Sequence, residues 1–266
     1  MKDKILIIGS SGYLGTNLIK RLNVKKKIIC YDRKKHRFSK NEKNKIFKEY
    51  VANLSNKKRL NDALKKTRVI FFRAGILGGP KSVHITESKR YIKENVEKLI
   101  SFLEIIKKHN IKKIIYDSSF QIFDKENNIN KEIQTFNYYG LSKLTSEKIL
   151  KNWCKENDVN LFIFRYPRIV CENSKNFLSN MILSALNYSK INLEKAFQKF
   201  RLVHIDDVLN ANIEAIRSKK KGIHVLNISI KKEYSLYDIS KIIQSQLKSK
   251  IKIEKIKKDS NPFEPN

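Results

Sequence analysis

Three glycines near the amino terminus constrain the fold of this chain more than any other feature. Gly9, Gly12 and Gly15 directly follow the apolar run Ile5–Ile8. Such glycines permit a tight turn, close approach of the backbone to a pyrophosphate, and close packing of a helix on a strand. The helix that follows presents its amino-terminal N–H groups to the phosphates. The pattern predicts a strand, a phosphate-binding loop and a helix over Tyr13–Leu22, and it favours a dinucleotide ligand.

Apolar strand candidates alternate with helical patterns along the first 165 residues. These candidates are Ile5–Ile8, Ile28–Tyr31, Ile46–Val51, Val69–Phe72, Ile114–Tyr116 and Leu161–Phe164. Such alternation is typical of a parallel sheet covered by helices on both faces. We therefore predict an α/β fold, a Rossmann-type doubly wound parallel sheet, in residues 1–165. The less regular residues 166–266 are expected to complete the sheet and to form a small C-terminal substrate lobe, with a frayed tail at Lys257–Asn266.

One acidic residue bears on the choice of cofactor. Asp32 ends the second candidate strand, 17 residues after Gly15. A carboxylate at this place accepts hydrogen bonds from the adenosine ribose and repels a 2′-phosphate, which favours NAD. Arg33 and the basic residues that follow it would neutralise such a phosphate, so NADP stays an alternative.

A tyrosine and a lysine carry the candidate chemistry. Lys143 follows Tyr139 by four residues, which on a helix places both side chains on one face. The ammonium favours the phenolate, and we expect it to lower the tyrosine pKa from about 10. The phenol would then exchange a proton with a substrate hydroxyl near neutral pH. Ser119 follows the strand Ile114–Tyr116, where α/β sheets bind ligands, and its hydroxyl can orient a substrate oxygen.

Taken together, these motifs resemble the extended short-chain dehydrogenase/reductase family, in its NAD-dependent epimerase/dehydratase type of nucleotide-sugar enzymes. The resemblance covers nearly the whole chain. Family-like segments are Ala52–Leu54, Phe71–Gly75, Asn95–Val96, Ser118–Phe123, Arg165–Val170 and Arg201–Val208. The resemblance implies that Tyr139 is the general acid/base, that Lys143 lowers its pKa and binds the nicotinamide ribose, and that Ser119 orients the substrate oxygen.

The resemblance also implies which residues bind the cofactor and the substrate. The cofactor-binding residues are expected to be Gly9, Gly12, Tyr13, Leu14, Gly15, Asp32, Arg33, Asn53, Leu54, Arg73, Ala74, Gly75, Asn95, Lys143 and Tyr166. The substrate-binding residues are expected to be Ser119, Phe120, Arg168 and Arg201, with Lys175 as a weaker candidate.

Several of these positions depart from the family pattern, among them Asn53, which replaces an acid. Arg73 replaces a small residue close to the expected cofactor, and Arg168 replaces an asparagine that often touches the nucleotide-sugar. Phe120 stands where the dehydratases of the family carry an Asp-Glu pair, which argues against a 4,6-dehydratase. We therefore expect an NAD-dependent epimerase or reductase acting at a hydroxyl or ketone of a nucleotide-linked sugar, with C4 favoured.

Two other functions stay open at this point. One is a short-chain reductase of a non-sugar carbonyl. The other is a catalytically weak family member that binds a cofactor or nucleic acid. The resemblance further suggests a homodimer, in which helices at residues 89–109 and 139–157 pack against their partner copies.

The composition narrows the range of partners. The formal net charge is +31, but the lysines are dispersed and accompanied by abundant asparagine and isoleucine, and no RNA-binding motif is present. We attribute the charge to biased composition and expect no nucleic-acid partner, although it would attract an anionic substrate. No apolar run reaches the roughly 18–20 residues that span a bilayer. The run Ile5–Ile8 is too short for a signal peptide, so we expect a cytoplasmic protein without membrane contact.

Cysteine and histidine spacing favours no metal site. Cys30, Cys154 and Cys171 are widely separated and form no CxxC or Cys/His cluster, so we expect neither a disulfide framework nor zinc. His204, close to Asp206 and Asp207, fits neither a zinc motif nor an activated nucleophile.

Overall fold

The computed structural model describes residues 3–123, 135, 137–172, 177–247 and 250–255. The strands, in chain order, are β1 (Lys4–Ile8), β2 (Ile28–Asp32), β3 (Ile46–Val51), β4 (Thr67–Phe72), β5 (Lys113–Ser119), β6 (Asn160–Tyr166), β7 (Arg168–Val170), β8 (Lys190–Leu193), β9 (Lys199–Phe200), β10 (Leu202–His204), β11 (Ile223–Asn227), β12 (Tyr234–Ser235) and β13 (Lys252–Lys255). The α-helices are α1 (Tyr13–Arg21), α2 (Lys40–Lys45), α3 (Lys57–Leu64), α4 (Ser88–Tyr91), α5 (Lys98–Ile106), α6 (Tyr138–Glu156), α7 (Phe177–Tyr188), α8 (Ile205–Arg217) and α9 (Leu236–Leu247).

The central sheet has seven strands in the order β11-β6-β5-β4-β1-β2-β3. Every neighbouring pair is parallel. This arrangement confirms the predicted Rossmann-type doubly wound fold. The strand order reverses between β1 and β4, so a crevice opens outside their carboxyl ends, where such sheets bind ligands.

The sheet separates two hydrophobic cores. Successive side chains of a strand point to opposite faces of the sheet, so neighbouring residues pack into different cores. On one face, Leu6 and Ile8 pack with residues of α3, α5 and α6. On the other face, Ile5 and Ile7 pack with residues of α1 and α8. Both faces of the sheet are therefore covered, as the near-continuous apolar strands require.

The segment predicted as one helix at residues 89–109 contains a π-helical turn, Ile92–Glu97, between α4 and α5. A π-turn inserts an extra residue and shifts the backbone hydrogen-bonding pattern, and such turns are frequent at functional sites. The turn carries Asn95, which is 3% exposed.

Residues after 165 contribute to two places. Strand β11 pairs with β6 and forms one edge of the central sheet. Helices α7 and α9 share a separate apolar core with residues of β8, β9 and β10. The short sheets β7/β10, β8/β13 and β9/β12 were not predicted. The division of the chain after residue 165 stays a prediction, and the tail Lys257–Asn266 lies outside the described residues.

Candidate active site

Ser119, Tyr139 and Lys143 meet at the carboxyl edge of the sheet. Ser119 is the last residue of β5, and Tyr139 and Lys143 lie in the first two turns of α6. The side chain of Asn137 starts this helix by accepting a hydrogen bond from the Gly140 N–H at 2.7 Å, as an N-cap residue does. Tyr139 is 7% exposed, and the Ser119 side chain lies near enough to its phenol to lower the pKa of that phenol.

Burial dominates the acidity of the Tyr139 phenol. It raises the pKa of Tyr139, whereas the Lys143 ammonium and the Ser119 side chain lower it. Lys143 therefore acts in the predicted direction, but the net shift is upward instead of downward. The Nζ atom of Lys143 also lies 4.2 Å from the centroid of the Tyr116 ring. This cation–π contact helps to hold the lysine beside the Tyr139 phenol.

The loop between β1 and α1, called the glycine cradle below, requires glycine at Gly9 and Gly15. Gly9 adopts a φ of +81°, in the left-handed region that favours glycine. A Cβ on Gly15 would lie 2.4 Å from the carbonyl oxygen of Gly9 and 2.8 Å from Cα of Ser10. Because α1 begins at Tyr13, its free N–H groups face this loop, which fits the diphosphate of a dinucleotide.

Asp32 lies at the end of β2, beside this loop. Its Oδ2 accepts a hydrogen bond from the Ser11 N–H at 3.0 Å, and its Oδ1 accepts one from the Lys34 N–H at 3.1 Å. Two backbone donors thus fix the carboxylate in a half-buried position. Arg33 is exposed. The Asn53 side chain accepts a hydrogen bond from the Ser55 N–H at 3.2 Å, so it shapes the turn before α3.

Asn95 connects the end of β4 with the tyrosine-bearing helix. Its Oδ1 accepts a hydrogen bond from the Ile76 N–H at 2.8 Å, and its Nδ2 donates to Ser142 Oγ at 2.9 Å. Its backbone carbonyl accepts a hydrogen bond from Ser146 Oγ at 3.1 Å. A Cβ on Gly75 would lie 2.6 Å from Asn95 Oδ1, so the loop after β4 closes directly on this amide.

The side chains of Arg73 and Tyr166 take part in a buried polar network. Arg73 Nη2 donates a hydrogen bond to Asn212 Oδ1 at 2.6 Å, and Asn212 Nδ2 donates to the Tyr166 hydroxyl at 2.9 Å. Asn212 belongs to α8, which covers the sheet face shared by Phe71 and Ile115. Arg73 is thus directed toward α8, and its backbone borders the glycine loop.

The predicted substrate residues separate into two groups. Phe120 is 3% exposed and packs with Ile122 and Phe123. Arg168 lies opposite Leu202 in the register of β7 and β10, which places it close to Arg201. The third candidate cation, Lys175, lies outside the described residues.

The two arginines of this small sheet already have partners. The guanidinium of Arg168 stacks 4.4 Å from the centroid of the Phe200 ring, and Arg201 Nε donates a hydrogen bond to Glu233 Oε1 at 3.2 Å. The structure therefore places the backbones of Arg168 and Arg201 near each other, while their side chains contact separate partners.

Glu147 was missed by sequence reasoning. It is fully buried in α6, and its Oε2 accepts a hydrogen bond from Arg165 Nη2 at 2.7 Å. Its Oε1 accepts hydrogen bonds from Arg165 Nε at 3.0 Å and from Ser118 Oγ at 2.5 Å. The signal was a carboxylate four residues after Lys143, hence on the same helix face as the lysine. Glu147 ties the helix of Tyr139 to the strand of Ser119.

The structure shows neither a metal site nor a membrane span among the described residues. His204 caps α8, since its Nδ1 accepts a hydrogen bond from the Asp206 N–H at 3.3 Å. The described part of the chain contains no cluster of His, Cys, Asp or Glu side chains able to hold a metal ion. Among the described helices, none combines the length and the apolar character needed to span a bilayer.

Comparison with known proteins agrees with this geometry. The family model described as "NAD dependent epimerase/dehydratase family" matches residues 5–229. An N-acetyl-alpha-D-glucosaminyl-diphospho-ditrans,octacis-undecaprenol 4-epimerase of Escherichia coli O157:H7 is 22% identical over 94% of this chain and 74% of its own length. A putative UDP-glucose 4-epimerase of Methanocaldococcus jannaschii is 26% identical over 91% of this chain and 82% of its own length.

A solved structure shows the same fold. The crystal structure of UDP-glucuronic acid 4-epimerase from Bacillus cereus in complex with NAD superimposes with a TM-score of 0.78 at 19% identity, over 95% of this chain and 87% of that one.

Proposed function

This chain belongs to the NAD-dependent epimerase/dehydratase family, of the extended short-chain dehydrogenase/reductase type, and we propose that it is an NAD-dependent epimerase that inverts C4 of a nucleotide-linked sugar. The observation that carries the proposal is the meeting of Ser119 and Tyr139 at the carboxyl edge of the sheet, beside the glycine cradle. Hydride transfer at a carbinol requires a proton-transfer group and a dinucleotide site in the same crevice.

The residues of this chain divide the work at the sugar oxygen. Tyr139 accepts the proton of the C4 hydroxyl as the ketone forms, and returns it when the hydroxyl is restored. Ser119 orients the same oxygen by a hydrogen bond. Lys143 stabilises the phenolate of Tyr139, since its positive charge lowers the pKa of the phenol. Burial acts in the opposite direction and raises that pKa. NAD, when bound, supplies the acceptor and donor of hydride.

NAD is the proposed cofactor because the carboxylate of Asp32 is held ready by two backbone N–H groups. A fixed anion at this position accepts the ribose hydroxyls of NAD and repels the 2′-phosphate of NADP. Arg33 is the group that would favour NADP. Titrating the purified protein with NADH and NADPH by fluorescence tests this preference, and equal affinities would contradict it.

The sugar carrier is proposed to be a diphosphate. Arg168 lies on β7, and Arg201 directly precedes the neighbouring strand β10. Arginine side chains suit bidentate phosphate recognition. A nucleoside diphosphate is our first choice. A polyprenyl diphosphate is the second candidate, because the Escherichia coli relative acts on a sugar diphosphate of undecaprenol.

The decisive experiment is a conversion assay followed by NMR. UDP-glucose, UDP-N-acetylglucosamine, UDP-glucuronic acid and a polyprenyl-diphosphate N-acetylglucosamine are each incubated with the protein and NAD. Appearance of the C4 epimer in a nucleotide arm supports the proposal, and conversion in the polyprenyl arm alone selects the second carrier. Stoichiometric consumption of NADH with a ketone substrate and no epimerisation would instead identify a reductase.

We also propose a homodimer through α5 and α6. Apolar side chains of α5 such as Leu99 and Leu103 pack into the core, but Ile100 of α5 and Leu141 of α6 are each 41% exposed. Light scattering of the full chain measures the mass directly. A dimer that Ile100→Lys converts to a monomer supports this surface, and a monomeric wild-type protein refutes it.

A further inference from the structure

Arg73 and Asp117 form an ion pair inside the protein. Arg73 Nε lies 3.2 Å from Asp117 Oδ2, and the two side chains are 4% and 12% exposed. The two atoms are close but not aligned as a hydrogen bond. Such a pair owes its attraction to weak screening by water, and either charge alone would be costly at this place.

The ion pair closes into a ring through two more side chains. Arg73 Nη2 donates to Asn212 Oδ1 at 2.6 Å, Asn212 Nδ2 donates to the Tyr166 hydroxyl at 2.9 Å, and that hydroxyl lies 3.4 Å from Asp117 Oδ1. Burial and the Asp117 charge raise the pKa of Tyr166 well above its ordinary value. The phenol therefore stays protonated, and it donates to Asp117 while it accepts from Asn212.

This ring of four side chains adjoins two parts of the proposed site, the glycine loop and Ser119. The backbone of Arg73 touches the glycine loop, since a Cβ on Gly9 would lie 2.9 Å from the Arg73 carbonyl oxygen. Asp117 lies two residues before Ser119 on β5, and Tyr166 is paired with Ser119 in the register of β5 and β6. The ring thus joins the ends of β4, β5 and β6, where the cofactor loop and the catalytic serine are attached.

We propose that Arg73 is a positioning residue, whose ion pair with Asp117 sets the glycine loop at the distance from Ser119 that cofactor binding needs. This inference rests on the proposed use of NAD. It explains why an arginine can replace the small residue at this position of the family: Asp117 supplies the charge that Arg73 requires, and the pair is directed toward α8.

Paired and single substitutions test the proposal. Arg73→Met and Asp117→Asn each leave one partner alone, whereas the double variant removes both charges and keeps most of the volume. NADH affinity is measured by fluorescence at 15 °C, with the unfolding temperature recorded separately. Arg68→Met is the matched control, because Arg68 lies near the amino-terminal end of β4, whereas Arg73 follows its carboxyl end, and Arg68 Nε is 3.7 Å from Asp3 Oδ1.

We expect each single variant to weaken NADH binding at least tenfold, the double variant to return within threefold of wild type, and Arg68→Met to leave the affinity unchanged. Single variants that unfold earlier but bind NADH normally would reduce the pair to a stabilising role and overturn the proposal. A double variant as weak as the singles would also overturn it. A wild-type protein that fails to bind NADH refutes the proposed function itself, so the two failures are distinguishable.

Discussion

Neutralising the buried carboxylate of Glu147 should destabilise the protein strongly. Glu147→Gln keeps the shape of the side chain but leaves the Arg165 guanidinium, 8% exposed, without its counter-ion. Breaking a buried pair by removing one partner costs about 3–5 kcal/mol. With an unfolding entropy of about 2.1 cal/mol/K per residue, this corresponds to a fall of about 5–9 °C in the unfolding temperature of this chain.

Differential scanning calorimetry or fluorimetry measures the shift. The matched control is Glu214→Gln, which breaks the surface pair with Arg217, whose side chains are 70% and 71% exposed. Exposed pairs contribute little, so this variant should melt within about 2 °C of wild type. A Glu147→Gln protein that melts within the same interval would refute the reasoning, since the pair would then make no net contribution to stability.

Three predictions concern the chemistry. Tyr139→Phe should reduce turnover about 10²–10⁴-fold while NADH still binds; near-normal turnover in the conversion assay would remove Tyr139 from its role. Lys143→Met removes a charge that lowers the pKa of Tyr139, so the limb of the pH–rate profile on which activity rises with phenolate formation should move to higher pH. An unmoved limb would contradict this. Gly15→Ala places a Cβ 2.4 Å from a backbone oxygen and should abolish NADH binding, whereas Gly79→Ala, whose Cβ meets no atom within 4 Å, should retain it; equal binding by the two variants would argue against the cradle.

Much of the sheet follows from short-range patterns. Each strand candidate of three to six residues became a strand, and a central one such as Ile5–Ile8 is apolar throughout because both faces of a parallel sheet are buried. The glycine loop and the helix of Tyr139 were predictable for the same reason: their signals lie within a few residues of one another in the sequence.

The remaining features depend on partners far apart in the chain. Arg73 follows Phe71 by two residues, so the sequence predicts that both side chains point to the same face of the sheet. The sequence does not predict the ion pair of Arg73, because Asp117 lies on another strand. The π-turn around Asn95 adds one residue to a helix and leaves the apolar periodicity nearly intact, so the pattern suggested an unbroken helix. The upward net pKa shift of Tyr139 arises from burial by surrounding elements, which a Tyr/Lys spacing does not report.

The pairing of β11 with β6 has a consequence for how the protein is made. Until Asn227 emerges, the hydrogen-bonding groups of β6 lack their neighbour on one side, although its residues Leu161–Phe164 are among the most apolar of the sheet. The ribosome must add about 61 residues after Tyr166, which takes about 3–12 s at 5–20 residues per second. For that interval the nascent chain presents an open strand edge, the kind of surface that recruits chaperones or a second chain.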